Sequence, residues 1–139
     1  NQSRSAAAVE VYKRQDQYNY YERLEGVFVN GEFTLGENIG DLGGISIALR
    51  AYQMSLNGAA SPELDGFTGE QRVFLGFGQV WAGKYRDEAL KSQINTDPHS
   101  PAQFRANGSV RNVPEFYTAF DVMPTDALYL PDEERVKIW

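Results

Sequence analysis

Two acidic residues lie four positions apart in the segment Gly36-Glu37-Asn38-Ile39-Gly40-Asp41, at the start of an apolar stretch. On a helix, Glu37 and Asp41 project from the same face, one turn apart. This spacing suits a metal site in which one carboxylate binds the ion and the other orients a neighbouring ligand. The chain has one histidine, no cysteine and no His-Glu-x-x-His sequence to supply further ligands. We therefore interpret the pair as half of an active site.

The composition limits the class of protein. A chain of 139 residues with 42% hydrophobic residues is the size of one domain with a substantial core. A net charge of −6 and the lack of a Lys/Arg cluster argue against nucleic acid as a partner. No apolar run approaches the ~20 residues of a membrane span. No signal peptide is visible, although the sequence begins at Asn1 rather than at Met.

The pattern of apolar residues predicts a mainly helical domain. We expect a turn at Asn30-Gly31 between short extended segments, with helices before and after it. The predicted helices run from Ser5 to about Leu24, from Thr34 to Leu56, from Thr68 to about Ser92, from Ser100-Pro101 towards Gly108, and after Pro114. The third begins with a Thr68-x-x-Gln71 capping box, and Ser100 is expected to cap the fourth.

The second predicted helix has two unusual features. Its apolar residues surround much of its axis, which predicts a buried helix. Four glycines lie near its beginning, at Gly36, Gly40, Gly43 and Gly44. Each costs about 1 kcal/mol relative to alanine inside a helix. We therefore expect another backbone to pack closely against this part of the helix.

Several segments together resemble the C-terminal part of the neprilysin family of zinc endopeptidases, in order and approximate spacing. They are Thr34-Leu-Gly-Glu-Asn-Ile-Gly-Asp41, Arg50-Ala-Tyr-Gln53, Gln79-Val-Trp81 with Tyr85-Arg86, Thr96-Asp-Pro-His-Ser-Pro101 with Phe104-Arg105, and the terminal Val-Lys-Ile-Trp139. The resemblance implies a thermolysin-like catalytic domain, with residues 1–139 as its helical C-terminal portion and a His-Glu-x-x-His helix upstream of Asn1. Many animal members have cysteines near Ala82 and Val136, so this chain resembles a bacterial member.

The resemblance also implies roles for individual residues. Glu37 would be the third protein ligand of a zinc ion, beside two histidines of the upstream helix, and Asp41 would accept a hydrogen bond from one of those histidines. His99 would donate a hydrogen bond to the oxyanion of the tetrahedral intermediate. Arg105 would bind a carbonyl or the terminal carboxylate of the peptide substrate. The pocket for a bulky apolar substrate side chain would include Val80 and Trp81.

Local sequence alone leaves a second interpretation for each of these residues. Thr34-x-x-Glu37 also fits a capping box, and Asp41 fits a first-turn carboxylate favoured by the helix dipole. A single loop histidine is commonly a surface or capping residue, and an arginine commonly forms a surface salt bridge. An aromatic residue at helical spacing is usually part of the core, which applies to Trp81 and its neighbour Val80.

We interpret the chain as an incomplete portion of a zinc-dependent endopeptidase that hydrolyses oligopeptides. By itself it is expected to be inactive and to bind zinc weakly at most. Its expected partners are the peptide substrate and the upstream portion of the same polypeptide, outside the cytoplasm by family resemblance. The alternative is a non-catalytic helical module that binds peptides. A glycosidase is disfavoured, because carboxyl groups one helical turn apart cannot flank a bond.

Overall fold

The computed structural model describes residues 2–138, with side chains described from Ala6 onward. As predicted, the described chain is mainly helical. Its elements are α1 (Gln2–Asn19), β1 (Glu22–Leu24), β2 (Val27–Phe28), α2 (Leu35–Ser55), α3 (Gly69–Val80), α4 (Asp87–Thr96), α5 (Ala102–Val110), α6 (Pro114–Ala119) and a 3-10 helix (Asp132–Glu134). None of the helices described is both long and apolar enough to cross a membrane. Trp139, the last residue of the terminal segment that resembles the family, lies outside the described residues.

The first helix is shorter than predicted, and the hairpin turn lies elsewhere. α1 ends at Asn19, and residues 22–24 form a strand that pairs antiparallel with β2. The chain reverses at Gly26, whose φ of +72° favours glycine, rather than at Asn30-Gly31. Gly31 instead packs beside α1, where its backbone N–H donates to Asn19 Oδ1 over 2.8 Å. The Asn-Gly signal therefore marks the connection between β2 and α2.

The second helix matches its predicted bounds but is buried on one side only. Thr34 precedes it and Leu56 follows it, and the chain leaves it through the positive φ angles of Asn57 and Gly58. One side of α2 enters the main hydrophobic core. The buried members of this core are Leu42, Ile45, Leu49, Phe74, Val110, Val113, Phe116 and Val136. The prediction of a buried helix holds for this side only, because Ile47 and Met54 are 68% and 67% exposed.

The predicted third helix is two helices. The capping box at its beginning is confirmed, since Thr68 Oγ1 accepts from Gln71 N at 3.2 Å and Gln71 Oε1 accepts from Thr68 N at 2.9 Å. α3 then ends at Val80, and residues 81–86 separate it from α4. Trp81 N donates to the Gly78 carbonyl, three residues back, which tightens and closes the last turn. The interruption places Trp81 at a helix end, next to α5.

The helix predicted to begin at Pro101 is α5. It begins one residue later than predicted, and Ser100 is not its cap. Pro101 is the residue before Ala102, and it makes no side-chain capping bond. The Ser100 hydroxyl donates instead to Asn38 Oδ1 of α2 over 2.8 Å. The short helix after Pro114 is confirmed, with the proline in its first turn. α5 thus packs against α2, and the segment before it is fastened to the first turn of α2.

Candidate active site

The first two turns of α2 carry Glu37 and Asp41, one turn apart as the four-residue spacing predicts. The capping-box interpretation of Glu37 is wrong. Thr34 N donates to the carbonyl of Asn30, and the Thr34 hydroxyl bonds to Asn30 and Asn38 rather than to the helix N–H groups. The Glu37 carboxylate is therefore free of its own helix and reaches two other side chains of the site.

Asp41 binds the guanidinium of Arg105 through both of its oxygens. Arg105 Nε donates to Asp41 Oδ2 at 2.6 Å, and Nη2 donates to Oδ1 at 2.7 Å. The side chains are only 9% and 13% exposed. These hydrogen bonds raise the pKa of Arg105, and the nearby carboxylate of Glu37 acts in the same direction. The interpretation of Arg105 as an ordinary surface arginine does not fit this bidentate, largely buried geometry.

Arg105 also connects α5 to the other parts of the site. Its Nη2 donates to Glu37 Oε2 at 3.2 Å. The guanidinium lies over the ring of Trp81, 4.1 Å from the ring centroid, an arrangement typical of cation–π contacts. α2, α5 and the end of α3 therefore meet at this one side chain.

His99 lies between two carboxylates. Its Nε2 is 3.2 Å from Glu37 Oε2, and its Nδ1 is 2.5 Å from Asp97 Oδ1. The same Asp97 oxygen accepts from the backbone N–H of His99 at 2.9 Å. These two hydrogen bonds from His99 lower the pKa of Asp97. The ring orientation is thus fixed at Nδ1, and Nε2 points towards Glu37.

Sequence reasoning did not identify Asp97. A signal was present, because the side chain of an aspartate in a loop commonly accepts a hydrogen bond from the backbone N–H two residues later, which forms an Asx turn. The segment Asp97-Pro98-His99 has this spacing. The turn makes Asp97 the orienting residue for the imidazole.

The two predicted pocket residues differ in their surroundings. Val80, the last residue of α3, is 71% exposed, so the interpretation as a core residue is wrong for it. Trp81 is partly buried, with Phe77 edge-on at 6.2 Å between ring centroids. Trp81 therefore joins the Arg105 cluster while it packs against α3, whereas Val80 lies open at the end of the helix.

The residues present fit one part of the implied zinc site. The Glu37 side chain is 44% exposed and ends in an oxygen that faces an imidazole and a guanidinium. A carboxylate of this kind is a suitable zinc ligand. Between residues 2 and 138, however, no group of three His, Cys, Asp or Glu side chains is placed to hold a metal ion. A zinc ion at Glu37 would need further ligands from outside the described residues.

An open strip of α2 lies beside Glu37. A Cβ atom added to Gly36, Gly40 or Gly44 would meet no atom within 4 Å. These three positions follow a spacing of four and lead towards the exposed Ile47 and Met54. We call these five residues the glycine face. Among the described residues, no close neighbour is found for Gly36, Gly40 or Gly44, whereas the fourth glycine, Gly43, is buried.

The fold agrees with comparisons with known proteins. The model of peptidase family M13 matches residues 2–136. Human endothelin-converting enzyme 1 is 42% identical over 96% of this chain, and human neprilysin is 40% identical over 92% of it. The chain therefore belongs to peptidase family M13, which confirms the predicted resemblance to the neprilysin family.

Solved structures agree with the fold of the chain. The zinc metalloprotease Zmp1 of Mycobacterium tuberculosis, solved in complex with an inhibitor, matches 98% of this chain with a TM-score of 0.95 and 49% identity. PepO from Lactobacillus rhamnosis HN001 matches 98% of it with a TM-score of 0.79 and 32% identity. The mainly helical fold is that of M13 peptidases.

The chain spans about a fifth of the length of these relatives. It covers 18% of human endothelin-converting enzyme 1 and of human neprilysin. It covers 22% of the Zmp1 chain and 20% of the PepO chain. About four-fifths of each of these relatives therefore has no counterpart in the 139 residues.

Proposed function

We propose that residues 1–139 are the C-terminal part of the catalytic domain of a bacterial zinc-dependent endopeptidase that hydrolyses oligopeptides outside the cytoplasm. The observation that carries the proposal is the meeting of Glu37, His99 and Arg105 beside the glycine face. Glu37 is not used to cap its helix, and its carboxylate lies 3.2 Å from both His99 Nε2 and Arg105 Nη2. A cation ligand, an oxyanion donor and a carboxylate-binding fork thus lie within one cluster.

Glu37 would hold the zinc together with histidines from an upstream portion of the same polypeptide. Zinc supplies Lewis-acid chemistry that polarises the scissile carbonyl and activates water. The glycine face provides the space for a helix to approach closely, because glycines allow two backbones to come near each other. Asp41 would orient a ligand histidine while it also holds the Arg105 guanidinium.

The other side chains would bind the substrate and stabilise its charge. His99 would donate from Nε2 to the developing oxyanion as the imidazolium, with both ring nitrogens protonated, because Nδ1–H already donates to Asp97. Arg105, whose Nε and Nη2 already hold the two carboxylates of α2, would use its Nη1 to bind a carbonyl or the terminal carboxylate of the peptide. The exposed side chain of Val80 and the ring of Trp81 would contact an apolar side chain of the substrate.

The test uses the full-length polypeptide and two substitutions with different expected results. Glu37→Ala should abolish bound zinc, measured by elemental analysis, and activity together. His99→Ala should keep the zinc and lower kcat by about 100- to 1,000-fold, the usual cost of one oxyanion donor. Glu63→Ala, at an exposed loop carboxylate, is the matched control and should change neither. Retention of zinc and full activity in both site variants would refute these roles.

One observation favours a non-catalytic peptide-binding module as the second candidate. The groups proposed to bind peptide are all present, whereas the described residues do not contain a complete set of metal ligands. The upstream reading frame separates the two candidates. A His-Glu-x-x-His about 50–60 residues before Glu37, as the family resemblance implies, supports the peptidase. Sub-micromolar zinc affinity of the 139-residue chain, measured by calorimetry, would contradict the proposed division of ligands.

A further inference from the structure

The buried side chain of Asn38 lies directly behind the candidate active site. It follows Glu37 in the first turn of α2 and is 0% exposed, while the Glu37 side chain is 44% exposed. Consecutive helical residues point about 100° apart, so Glu37 faces the site and Asn38 faces the interior. None of the roles assigned above uses Asn38.

Each polar atom of the Asn38 side chain has one partner, and the partners determine how the amide is oriented. The Thr34 hydroxyl donates to the Asn30 carbonyl, so it must accept from Asn38 Nδ2, which lies 2.9 Å away. The amide oxygen therefore faces Ser100, whose hydroxyl donates to it over 2.8 Å. The backbone carbonyl oxygen of Asn38 accepts a hydrogen bond from Nη2 of the fully buried Arg14 at 2.8 Å, so the backbone of Asn38 is fixed as well as its side chain.

The Asn38–Ser100 hydrogen bond joins the immediate neighbours of two site residues. Ser100 follows His99 and is only 1% exposed. The segment that carries them has prolines at 98 and 101, each of which fixes its own φ angle, so little freedom remains between them. A displacement of Ser100 would therefore be passed on to the imidazole.

The direct contact between Glu37 and His99 is too weak to hold them in place. Both side chains are more than 40% exposed, and ion pairs with this exposure contribute ~0–1 kcal/mol. The bond between Asn38 and Ser100 is buried, where a hydrogen bond is protected from exchange with water. The buried pair is thus the stronger link between the two segments.

We propose that Asn38 is a positioning residue that sets the separation of Glu37 and the His99 imidazole through its hydrogen bond to Ser100. The inference rests on the proposed function only where it concerns a reaction rate. The placement of the imidazole is a property of the chain itself and can be measured without metal, substrate or turnover.

The first experiment observes His99 directly by NMR. It is the only histidine in the sequence, so the imidazole ¹⁵N and ¹³C resonances of the labelled 139-residue chain belong to it alone. At one fixed neutral pH, Ser100→Ala and Asn38→Ala should move these resonances towards those of a histidine in the unfolded chain. Ser109→Ala is the matched control, because Ser109 is also fully buried but bonds to Arg14 and lies outside the His99 segment.

The control separates a loss of position from a loss of stability. Ser100→Ala and Ser109→Ala each remove one buried hydroxyl, so both should lower the Tm, and only the first should move the His99 resonances. Identical resonances in the two variants would overturn the proposal. If Ser100→Ala does not fold, Ser100→Cys replaces the hydroxyl with a weaker donor, and unchanged resonances in that variant would overturn it equally.

The second experiment measures peptide hydrolysis by the full-length polypeptide. Ser100→Ala should lower kcat by about 10- to 100-fold, with KM and zinc content close to wild type, because small displacements of a reacting group cost up to about 100-fold. If wild type cleaves no peptide but the His99 resonances move as expected, the proposed function fails and the positioning role stands. If wild type cleaves peptides and Ser100→Ala matches Ser109→Ala in kcat, the positioning role fails.

Discussion

The ion pair between Asp41 and Arg105 should contribute more to stability than other ion pairs of the chain. Its two hydrogen bonds are 2.6 and 2.7 Å long, and its side chains are 9% and 13% exposed. Removal of one partner leaves the other charge poorly solvated, which costs about 3–5 kcal/mol for fully buried pairs. With the residual exposure of this pair, we expect Asp41→Asn to cost about 2–4 kcal/mol.

A double-mutant cycle isolates the pair from the other contacts of Arg105. Arg105→Gln also removes the contacts with Trp81 and Glu37, so its cost should exceed that of Asp41→Asn. The coupling energy of Asp41→Asn with Arg105→Gln should be about 2–3 kcal/mol, near the upper end for interacting neighbours. Urea unfolding of the 139-residue chain, followed by circular dichroism at pH 7, measures the free energy of unfolding of each variant. The loss expected for Asp41→Asn corresponds to a shift of about 1–2 M in the midpoint. The coupling energy follows from the free energies of the two single variants and the double variant.

The pair of Asp132 and Lys137 provides the control. Lys137 Nζ and Asp132 Oδ2 are 2.7 Å apart, but the side chains are 54% and 64% exposed. The two ion pairs have similar N–O distances, but the side chains of this one are far more exposed. Asp132→Asn should therefore leave the urea midpoint unchanged within error. If Asp41→Asn is no more destabilising than Asp132→Asn, the bidentate pair does not hold α5 to α2, and the reasoning is refuted.

Three further predictions concern the parts of the fold that support the site. Burial raises the pKa of Tyr18 to about 12, so the native state disfavours its ionised form. Stability should therefore be intact below about pH 9 and should fall by about 2 kcal/mol between about pH 9 and 11.5, a loss that Tyr18→Phe should remove in urea titrations. Gly31→Ala should destabilise the chain by more than 2 kcal/mol, since its Cβ would overlap a backbone oxygen of α1, whereas Gly44→Ala should stabilise it by about 0.5–1 kcal/mol because its surroundings are open; thermal unfolding of both variants checks this. Thr68→Ala should cost about 1 kcal/mol through loss of its bond to the Gln71 amide, and an equal midpoint for wild type and variant would contradict the capping box.

Sequence reasoning succeeded where a local pattern determines the structure. The capping box at Thr68 and the proline at the start of α6 each depend on neighbouring residues alone. It failed where a distant partner competes. Ser100 has the side chain of a good helix cap, but a buried amide from α2 takes its hydroxyl. Glu37 has the spacing of a capping box, but its carboxylate lies against His99 and Arg105 of distant segments. The Thr34 hydroxyl bonds to Asn30 and Asn38.

The site itself could be predicted only in part, for the same reason. The spacing of Glu37 and Asp41 placed both on one face of α2, which needs only helical geometry. Sequence spacing did not indicate that Arg105, 64 residues from Asp41, closes this face with a bidentate pair. The break after α3 was missed as well, and it is this break that leaves Trp81 beside the guanidinium.

A common arrangement explains how these exposed groups keep fixed positions. The site residue of each segment is followed or preceded by a buried one: Asn38 follows Glu37, Ser100 follows His99, and Phe104 precedes Arg105. Because the two residues of each pair are consecutive in the backbone, the buried one limits the movement of the site residue, which the proposed function requires to be open to a substrate. Substitution of the half-exposed Glu37 or His99 should therefore affect function more than folding, whereas substitution of their buried neighbours should affect both. Glu37 and His99 are thus held from behind by the core, whereas Arg105 is held by its bidentate pair with Asp41.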